Sequence, residues 1–456
     1  MLSVKPLAAG SHGYYVSLVS VNYYTDSKEP PGIWHGKGAL EFGLEPGAVV
    51  EREHLERLCE GFDPHDPKKK LVWNAGRTDG HAPRSPGLDV TLSVSKSLSI
   101  FWALSDEEIQ RRVEKIVLTS AKQTLGYLED YCGVARVGKF GLSHEEVPLL
   151  FAMFPQSSSR LNDMQLHIHC LLINATRHAD GRTTAIDPTT VFDHQFSAGS
   201  IFNVAVAENL RRELGLEVVL KQTGSFVNFE LKGISDEAIE HYSKRKTEID
   251  DLIKEQGESR QSASAAMRQV ACLETCKGKD ERPRSELIRR WKAEAAERFG
   301  ITPEYLETLH GRVKELSREE KAELREVAFR KGVAALEEQH SHWSLADLHQ
   351  KVSEAAQGCG LGVADVREVI ANKLESPELE ILGEARTKKR TIDRDPEKDW
   401  KPRHYLDRYQ QRITSPAVRQ AERALLGAAE RIAGTRSESP SGLVERAIKN
   451  NDPREG

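Results

Sequence analysis

The eleven residues Met164-Gln-Leu-His-Ile-His-Cys-Leu-Leu-Ile-Asn174 constrain the fold of this chain more than any other stretch. Beyond His169 they are almost all aliphatic and the run stops at Asn174, which is the pattern of a buried strand. His167 and His169 are two apart, so on a strand both imidazoles share one face and Ile168 takes the other. Adjacent imidazoles on a rigid strand make half of a divalent-metal site. The plain alternative is two unrelated histidines near a strand end, and the remaining motifs must decide.

A chain of 456 residues is long enough for two or three domains. With 38% hydrophobic and 30% charged residues it is rather polar, and no apolar run approaches membrane-spanning length. The opening Met-Leu-Ser-Val-Lys-Pro is too short and too broken for a secretory signal. The cysteines, at 59, 132, 170, 272, 276 and 359, form no Cys-x-x-Cys. Cys272 and Cys276 have helical spacing that suits packing, so a reducing, cytoplasmic setting is expected. The net charge of −5 weakens a picture of a basic protein coating DNA, although local basic surfaces coexist with an acidic total.

Two tyrosine pairs, Tyr14-Tyr15 and Tyr23-Tyr24, follow a turn at Gly10 to Gly13. Aromatic pairs serve as core anchors, and a phenol also serves as a covalent nucleophile. Lys37 lies between two glycines in Trp34-His-Gly-Lys-Gly-Ala39, but the spacing from Gly32 and the glycine at 38 fail the phosphate-loop pattern. No Walker A sequence occurs, so these residues give no basis for ATP-driven work. Lys68-Lys69-Lys70, Arg77 and Arg84 fall in a polar region that reads as a solvated loop or as phosphate contacts.

From Leu88 the chain alternates: Asp89, Thr91 and Ser93 on one face, Leu88, Val90, Leu92 and Val94 on the other. Asp89 is either a solvated edge residue or a site carboxylate, and Lys96, between two serines, suits a helix start near a phosphate. Ser105-Asp-Glu-Glu108 predicts a capping box opening a helix from 106 to 131. Strands are expected at 133–139 and 147–154, a helix at 198–214 and a hairpin at 217–231. From 235 the chain reads as charged helix, with caps at Thr302, Ser317 and Ser344. Helix, turn, helix and strand over 343–394 suggest a winged-helix-like module that includes the basic Lys388-Lys389-Arg390.

Taken together, the tyrosine pairs, the Asp89 strand and His167-Ile-His169 resemble the relaxase domain of MobF-class (TrwC/TraI-type) conjugative relaxases, members of the HUH endonucleases. Trp34-x-Gly-Lys-Gly-Ala39, Asp89-Val-Thr-Leu-Ser-x-x-Lys96-Ser97 and the block from Ser159-Arg160 to His169 match that family's segments in order and spacing. The resemblance covers roughly residues 1–310. It implies an α+β fold, with a central antiparallel sheet carrying the His-x-His strand, flanking helices and a mainly helical C-terminal region. It departs at one place: the family's third metal-binding histidine falls eleven positions before His167, and here that residue is Gln156. Three readings stay open. Gln156 is a weaker, neutral ligand to Mg²⁺ or Mn²⁺, His144 stands in for it, or metal binding is impaired.

The resemblance also implies the chemistry. Tyr14 attacks a phosphodiester to give a 5′-phosphotyrosyl bond, Tyr23 performs a second transfer, and Tyr15 and Tyr24 support the geometry. Asp89 assists as a base or by orienting a ligand histidine. Arg77, Arg84, Lys96 and Arg160 are the candidate DNA contacts. The expected partners are single-stranded DNA with a hairpin at an origin of transfer, a coupling protein and accessory relaxosome proteins in a bacterial cytoplasm. A helical region at 311–436 resembles the segment upstream of a helicase, which this sequence does not contain, and 437–456 reads as a polar tail. The rivals are a rolling-circle initiator, disfavoured because the tyrosines precede the histidines, and a non-catalytic DNA-binding protein that has lost its metal.

Overall fold

In the computed structural model, residues 1–8, 10–24, 29–76, 84–138, 143–224, 226–259, 262–275, 282–311, 315–382 and 412–435 are described, with backbone alone at 20–24, 265, 269, 273 and 430–435. Arg77, Lys388 to Arg390 and the 437–456 tail therefore lie outside the described residues.

The chain opens with β1 (Leu2–Pro6), α1 (Gly13–Tyr24), β2 (Ile33–His35), α2 (Gly38–Glu41) and α3 (Arg52–Glu60). β3 (Gly87–Ser93), α4 (Lys96–Leu104) and α5 (Glu107–Cys132) follow, then the hairpin of β4 (Val134–Val137) and β5 (Ser143–Glu146), then β6 (Phe151–Ser158) and β7 (Met164–Ile173). The central sheet has the order β1-β3-β7-β6-β2, and every neighbouring pair is antiparallel. The histidine strand is thus the middle strand of five.

Alternation along these strands divides the sheet into two faces. Leu2, Val4, Val90, Leu92, Ile168, Cys170 and Met153 point to the larger core, beneath α4, α5 and α7 (Gln195–Leu214). On the opposite face, Ala152, Phe154, Leu171 and Ile173 pack with Tyr15 and Val16 of α1, Trp34, Phe42 and α3. That second core covers only one end of its face, and the other end is left to polar residues.

Two local expectations change. β6 runs on to Ser158 instead of stopping at Phe154. Its partner β2 reaches only Phe151 to Met153, so the missing N–H of Pro155 costs no bond on that side. The cap of α5 is Asp106, which accepts from the Ile109 N–H, while the Ser105 hydroxyl donates back to the Phe101 carbonyl. The Gly-Lys-Gly segment is a packing device. A Cβ on Gly36 would lie 2.3 Å from the Leu149 carbonyl oxygen, and one on Gly38 2.7 Å from it. The Lys37 N–H and Leu149 N–H both donate to Glu129, which ties the segment to α5.

After β7 come β8 (Thr176–Arg177), β9 (Thr183–Thr184), α6 (Thr189–Asp193), α7, and the hairpin of β10 (Val218–Thr223) and β11 (Phe226–Leu231). Then α8 (Asp236–His241), α9 (Lys244–Glu255), α10 (Ala265–Glu274), α11 (Arg284–Phe299) and α12 (Pro303–Glu307) follow. The final part holds α13 (Arg318–Glu337), α14 (Leu345–Ala356), α15 (Val363–Leu374), β12 (Glu380–Leu382), β13 (Arg412–Thr414) and α16 (Pro416–Thr435). β13 pairs with β12 and also bridges to Trp343, just ahead of α14. Capping boxes at Ser317 and Ser344 open α13 and α14 as expected. Among the described residues, no helix is long and apolar enough to cross a membrane.

The larger core is continuous from β1 through α14 and α15 to β13, so the C-terminal part is welded to the sheet region. At that junction Tyr127 and Tyr131 of α5 pack against His194 and His349, and the Tyr127 hydroxyl bonds His194 Nδ1 at 2.9 Å. Burial pushes both imidazoles down to about 4. The unfolded chain would protonate them below their ordinary value, so their stabilisation is complete above about pH 6.5 and is lost as pH falls toward 4. Thermal melts from pH 7 to 4.5 should drop steeply, by a few kcal/mol in stability. A His194→Asn/His349→Leu double variant should flatten that slope, and equal slopes would contradict the assignment.

Candidate active site

The uncovered polar end of the sheet is where the sequence motifs meet. The strand register sets Thr91 opposite His169, Ser93 opposite His167, and Gln156 opposite His167 from the other side. The two imidazoles have centroids 5.1 Å apart. Between the Gln156–His167 and Ser158–Met164 pairs, β7 supplies three steps against two from β6. This bulge re-aims the strand beside the histidines and turns the Gln165 carbonyl toward His167 Nδ1, at 2.8 Å.

Each imidazole is held by its Nδ1. His169 Nδ1 lies 3.0 and 3.2 Å from the two Asp89 carboxylate oxygens and 3.1 Å from the Thr91 hydroxyl. Both Nδ1 atoms face acceptors, which assigns the proton to Nδ1 and leaves Nε2 as the lone-pair nitrogen on each ring. That is the tautomer a metal ligand needs, with a carboxylate behind one histidine and a carbonyl behind the other. Burial alone would raise the Asp89 pKa. Hydrogen bonds from His169 first, then Tyr15 and Thr91, hold it below the ordinary carboxylate value. Asp89→Asn should therefore weaken Mn²⁺ binding by roughly 10- to 100-fold without unfolding the protein. Calorimetric titration checks this, and an unchanged affinity would remove Asp89 from the site.

The N-terminal helix brings the phenols to this patch. Tyr14 is 43% exposed, and its ring stands 6.0 Å from that of His169. The Gln156 carboxamide nitrogen donates to the Tyr14 hydroxyl at 3.1 Å, with the carboxamide oxygen 3.5 Å away. Partial burial raises the Tyr14 pKa, while the Gln156 bond and the Arg160 charge pull it back. Tyr15 differs sharply. It is 3% exposed, packs on Phe154 and His169, and is hydrogen-bonded to Asp89. Burial followed by the Asp89 charge drives its pKa far up, so it stays a neutral donor. Tyr23 and Tyr24 fall on the last turn of α1, where only the backbone is described. Nine residues along one helix separate Tyr23 from Tyr14 by about 13.5 Å and half a revolution.

The remaining candidates divide. Arg160 is exposed on the β6–β7 turn, close enough to act on Tyr14. That turn is rigid: Ser159 Oγ accepts from the Leu161 and Asp163 N–H groups, Asn162 adopts φ +56°, and buried Asp163 pairs with Lys244. Arg84 is not a surface contact. It is buried and donates to the Cys59, Leu58 and Asn174 carbonyls, as a buried guanidinium must. Arg84→Ala should cost about 3 kcal/mol of stability and leave DNA affinity unchanged, read by melting and by filter binding. Lys96 donates to the Met164 carbonyl at 2.6 Å from the start of α4, which packs on the other face of the sheet. It braces the start of β7 instead of reaching a phosphate. His144 sits on the β4–β5 hairpin with its Nε2 on Asp187 and is no substitute ligand.

Among the described residues, no three His, Cys, Asp or Glu side chains converge on a common ion. The donor set that fits a divalent cation is two imidazole nitrogens and the Gln156 carbonyl oxygen. Sequence reasoning missed Glu29, whose carboxylate receives the Ser157 N–H at 2.9 Å and hydroxyl at 2.5 Å, anchoring the chain after α1 to β6. Only its spatial neighbour reveals it. Thr91, by contrast, was already visible on the Asp89 face.

Comparison with known proteins agrees with this geometry. The TrwC relaxase family model matches residues 8–298. The chain is 27% identical over 297 residues to the multifunctional conjugation protein TraI of Escherichia coli K12, covering 61% of this chain and 15% of that protein. It thus spans less than a sixth of the length of that relative. The conjugative relaxase TrwC in complex with oriT DNA superposes with a TM-score of 0.57 at 28% identity, over 66% of this chain and 99% of that one. A metal-bound form of that complex gives 0.56 at 28% identity, with the same coverage. TrwC bound to a 27-mer comprising the recognition hairpin and the cleavage site gives 0.55 at 28% identity, over 65% and 98% of the two chains. Since the family model spans well over half of the sequence, this chain belongs to the TrwC relaxase family.

Proposed function

We propose that this protein is a metal-dependent relaxase that nicks and religates single-stranded DNA, at a defined site and on one strand of an origin of transfer, to start conjugative transfer. The observation that carries this reading is the hydrogen bond between Tyr14 and Gln156, which sets an N-terminal phenol beside the two-histidine patch.

His167, His169 and Gln156 would hold the ion, Mg²⁺ or Mn²⁺, which when bound offsets the charge of the scissile phosphate. Tyr14 Oη attacks the phosphorus in line. The Oη–P bond forms, the P–O3′ bond breaks, and the phenol loses its proton while the 3′ oxygen leaves as a hydroxyl. The phosphotyrosyl ester keeps the energy of the original diester, so the free 3′-hydroxyl can reverse the step. Asp89 is suited to orienting His169 and not to taking the phenol proton. A carboxylate at or below its ordinary pKa is about six units less basic than a phenolate, a cost of about 8 kcal/mol. Tyr23 is assigned the second transfer. Its distance along α1 requires that helix to shift, so Tyr23→Phe leaves the first nick intact. Arg160 lies where it would meet the phosphate beside Tyr14. Arg77 is kept as a DNA contact on sequence grounds alone.

Residues 1–310 form the nicking unit in this reading, and 311–436 a winged-helix-like unit, supported by the order helix, bridge, two helices and two strands. Acidic and basic residues nearly balance over 311–436, so net charge assigns that unit no role along a phosphate backbone. Coupling and accessory proteins in a bacterial cytoplasm are the remaining partners of the proposal. The test is a denaturing gel: single strands from inverted repeats near the gene are incubated with protein and Mn²⁺, with and without chelator. A metal-dependent, protease-sensitive shift supports the reading. DNA binding with no shift at any metal concentration overturns it in favour of a binding protein.

A further inference from the structure

We propose that Gln156 is a positioning residue for the nucleophile, and that the glutamine is more than a weakened metal ligand. The inference rests on the relaxase reading above and adds a second task for one side chain. Tyr14 is substantially exposed near the start of α1, so its phenol needs a fixed point. Among the described residues, the hydrogen bond that fixes its hydroxyl comes from Gln156. Gln156 is itself 6% exposed on a central strand and locked opposite His167, so it is a rigid anchor.

The chemistry of the amide explains why glutamine suits both tasks. A carboxamide carries an acceptor oxygen and a donor nitrogen on the same terminal carbon. The oxygen can face a cation while the N–H donates to the phenol oxygen before attack. An imidazole bound to an ion through Nε2 has its remaining N–H on the far side of the ring, as His169 demonstrates with Asp89. A histidine at 156 would bind the ion more tightly and let the phenol go. A glutamate would also bind more tightly, but it offers no N–H and sets a negative charge against the attacking oxygen.

The experiment compares Gln156→His, Gln156→Glu and Gln156→Leu with the wild type, Glu being nearly isosteric so that folding is preserved. Three quantities are measured: Mn²⁺ affinity by calorimetry, the single-turnover rate of adduct formation at saturating Mn²⁺, and the Tyr14 ring signal in metal-free, ring-¹³C-tyrosine protein. The last is assigned by its absence in Tyr14→Phe. The expected result is tighter Mn²⁺ binding in the His and Glu variants. Their adduct formation at saturating metal falls roughly tenfold or more, and the Tyr14 signal moves toward that of a solvated tyrosine in the Leu variant. Adduct rates equal to wild type in both His and Glu variants, or a Tyr14 signal indifferent to Leu, would overturn the positioning role. Such a result leaves the relaxase reading intact. A wild type that never forms the adduct defeats the relaxase reading instead, while the metal-free ring signal still reports on positioning.

Discussion

Tyr14→Phe should abolish the covalent protein–DNA adduct, lowering its rate by roughly a thousandfold or more, while DNA affinity stays within about threefold. The substitution removes one oxygen and keeps the ring, so the edge contacts with Tyr15 and His169 survive. The hydroxyl lost from Gln156 belongs to a Tyr14 side chain that is 43% exposed, so water can replace it and the melting temperature should hardly move. The neighbouring substitution gives the contrast. Tyr15→Phe removes a donor from buried Asp89 and should lower stability and metal affinity, with a smaller loss of adduct. An adduct that persists in Tyr14→Phe but disappears in Tyr23→Phe would reassign the first attack.

His169→Ala is expected to be as damaging to the reaction by another route. It deletes one of the two proposed imidazole ligands, so Mn²⁺ binding should weaken at least a hundredfold, and adduct formation should be lost at ordinary metal concentrations. It also strips Asp89 of the donor that does most to keep it ionised. A buried carboxylate left short of its main partner costs about 1–3 kcal/mol, so this variant should melt lower as well. His167→Ala removes the other proposed ligand, whose Nδ1 is bonded to a carbonyl, so it should lose metal without the same stability penalty. Calorimetry with Mn²⁺ and parallel melts separate the two. Equal melting of both variants would mean that the Asp89–His169 bond does not matter to the folded state.

The sequence alone determined the parts of this protein that depend on local periodicity. Alternation along Leu88 to Val94 and the His-x-His step assigned faces to β3 and β7 correctly, because side-chain direction on a strand repeats every two residues. The same holds for the caps at Ser317 and Ser344, where two or three side-chain bonds between near neighbours suffice. Only the tertiary structure decided which charged residues are spent internally. Arg84 and Lys96 look like surface cations in sequence, yet carbonyls from distant segments bury and satisfy them. It also decided what Gln156 touches. Its bond to Tyr14 spans 142 residues and exists because β6 pairs with β7 while α1 crosses the end of the sheet. A contact of that kind depends on packing between elements, and no periodicity within either segment encodes it.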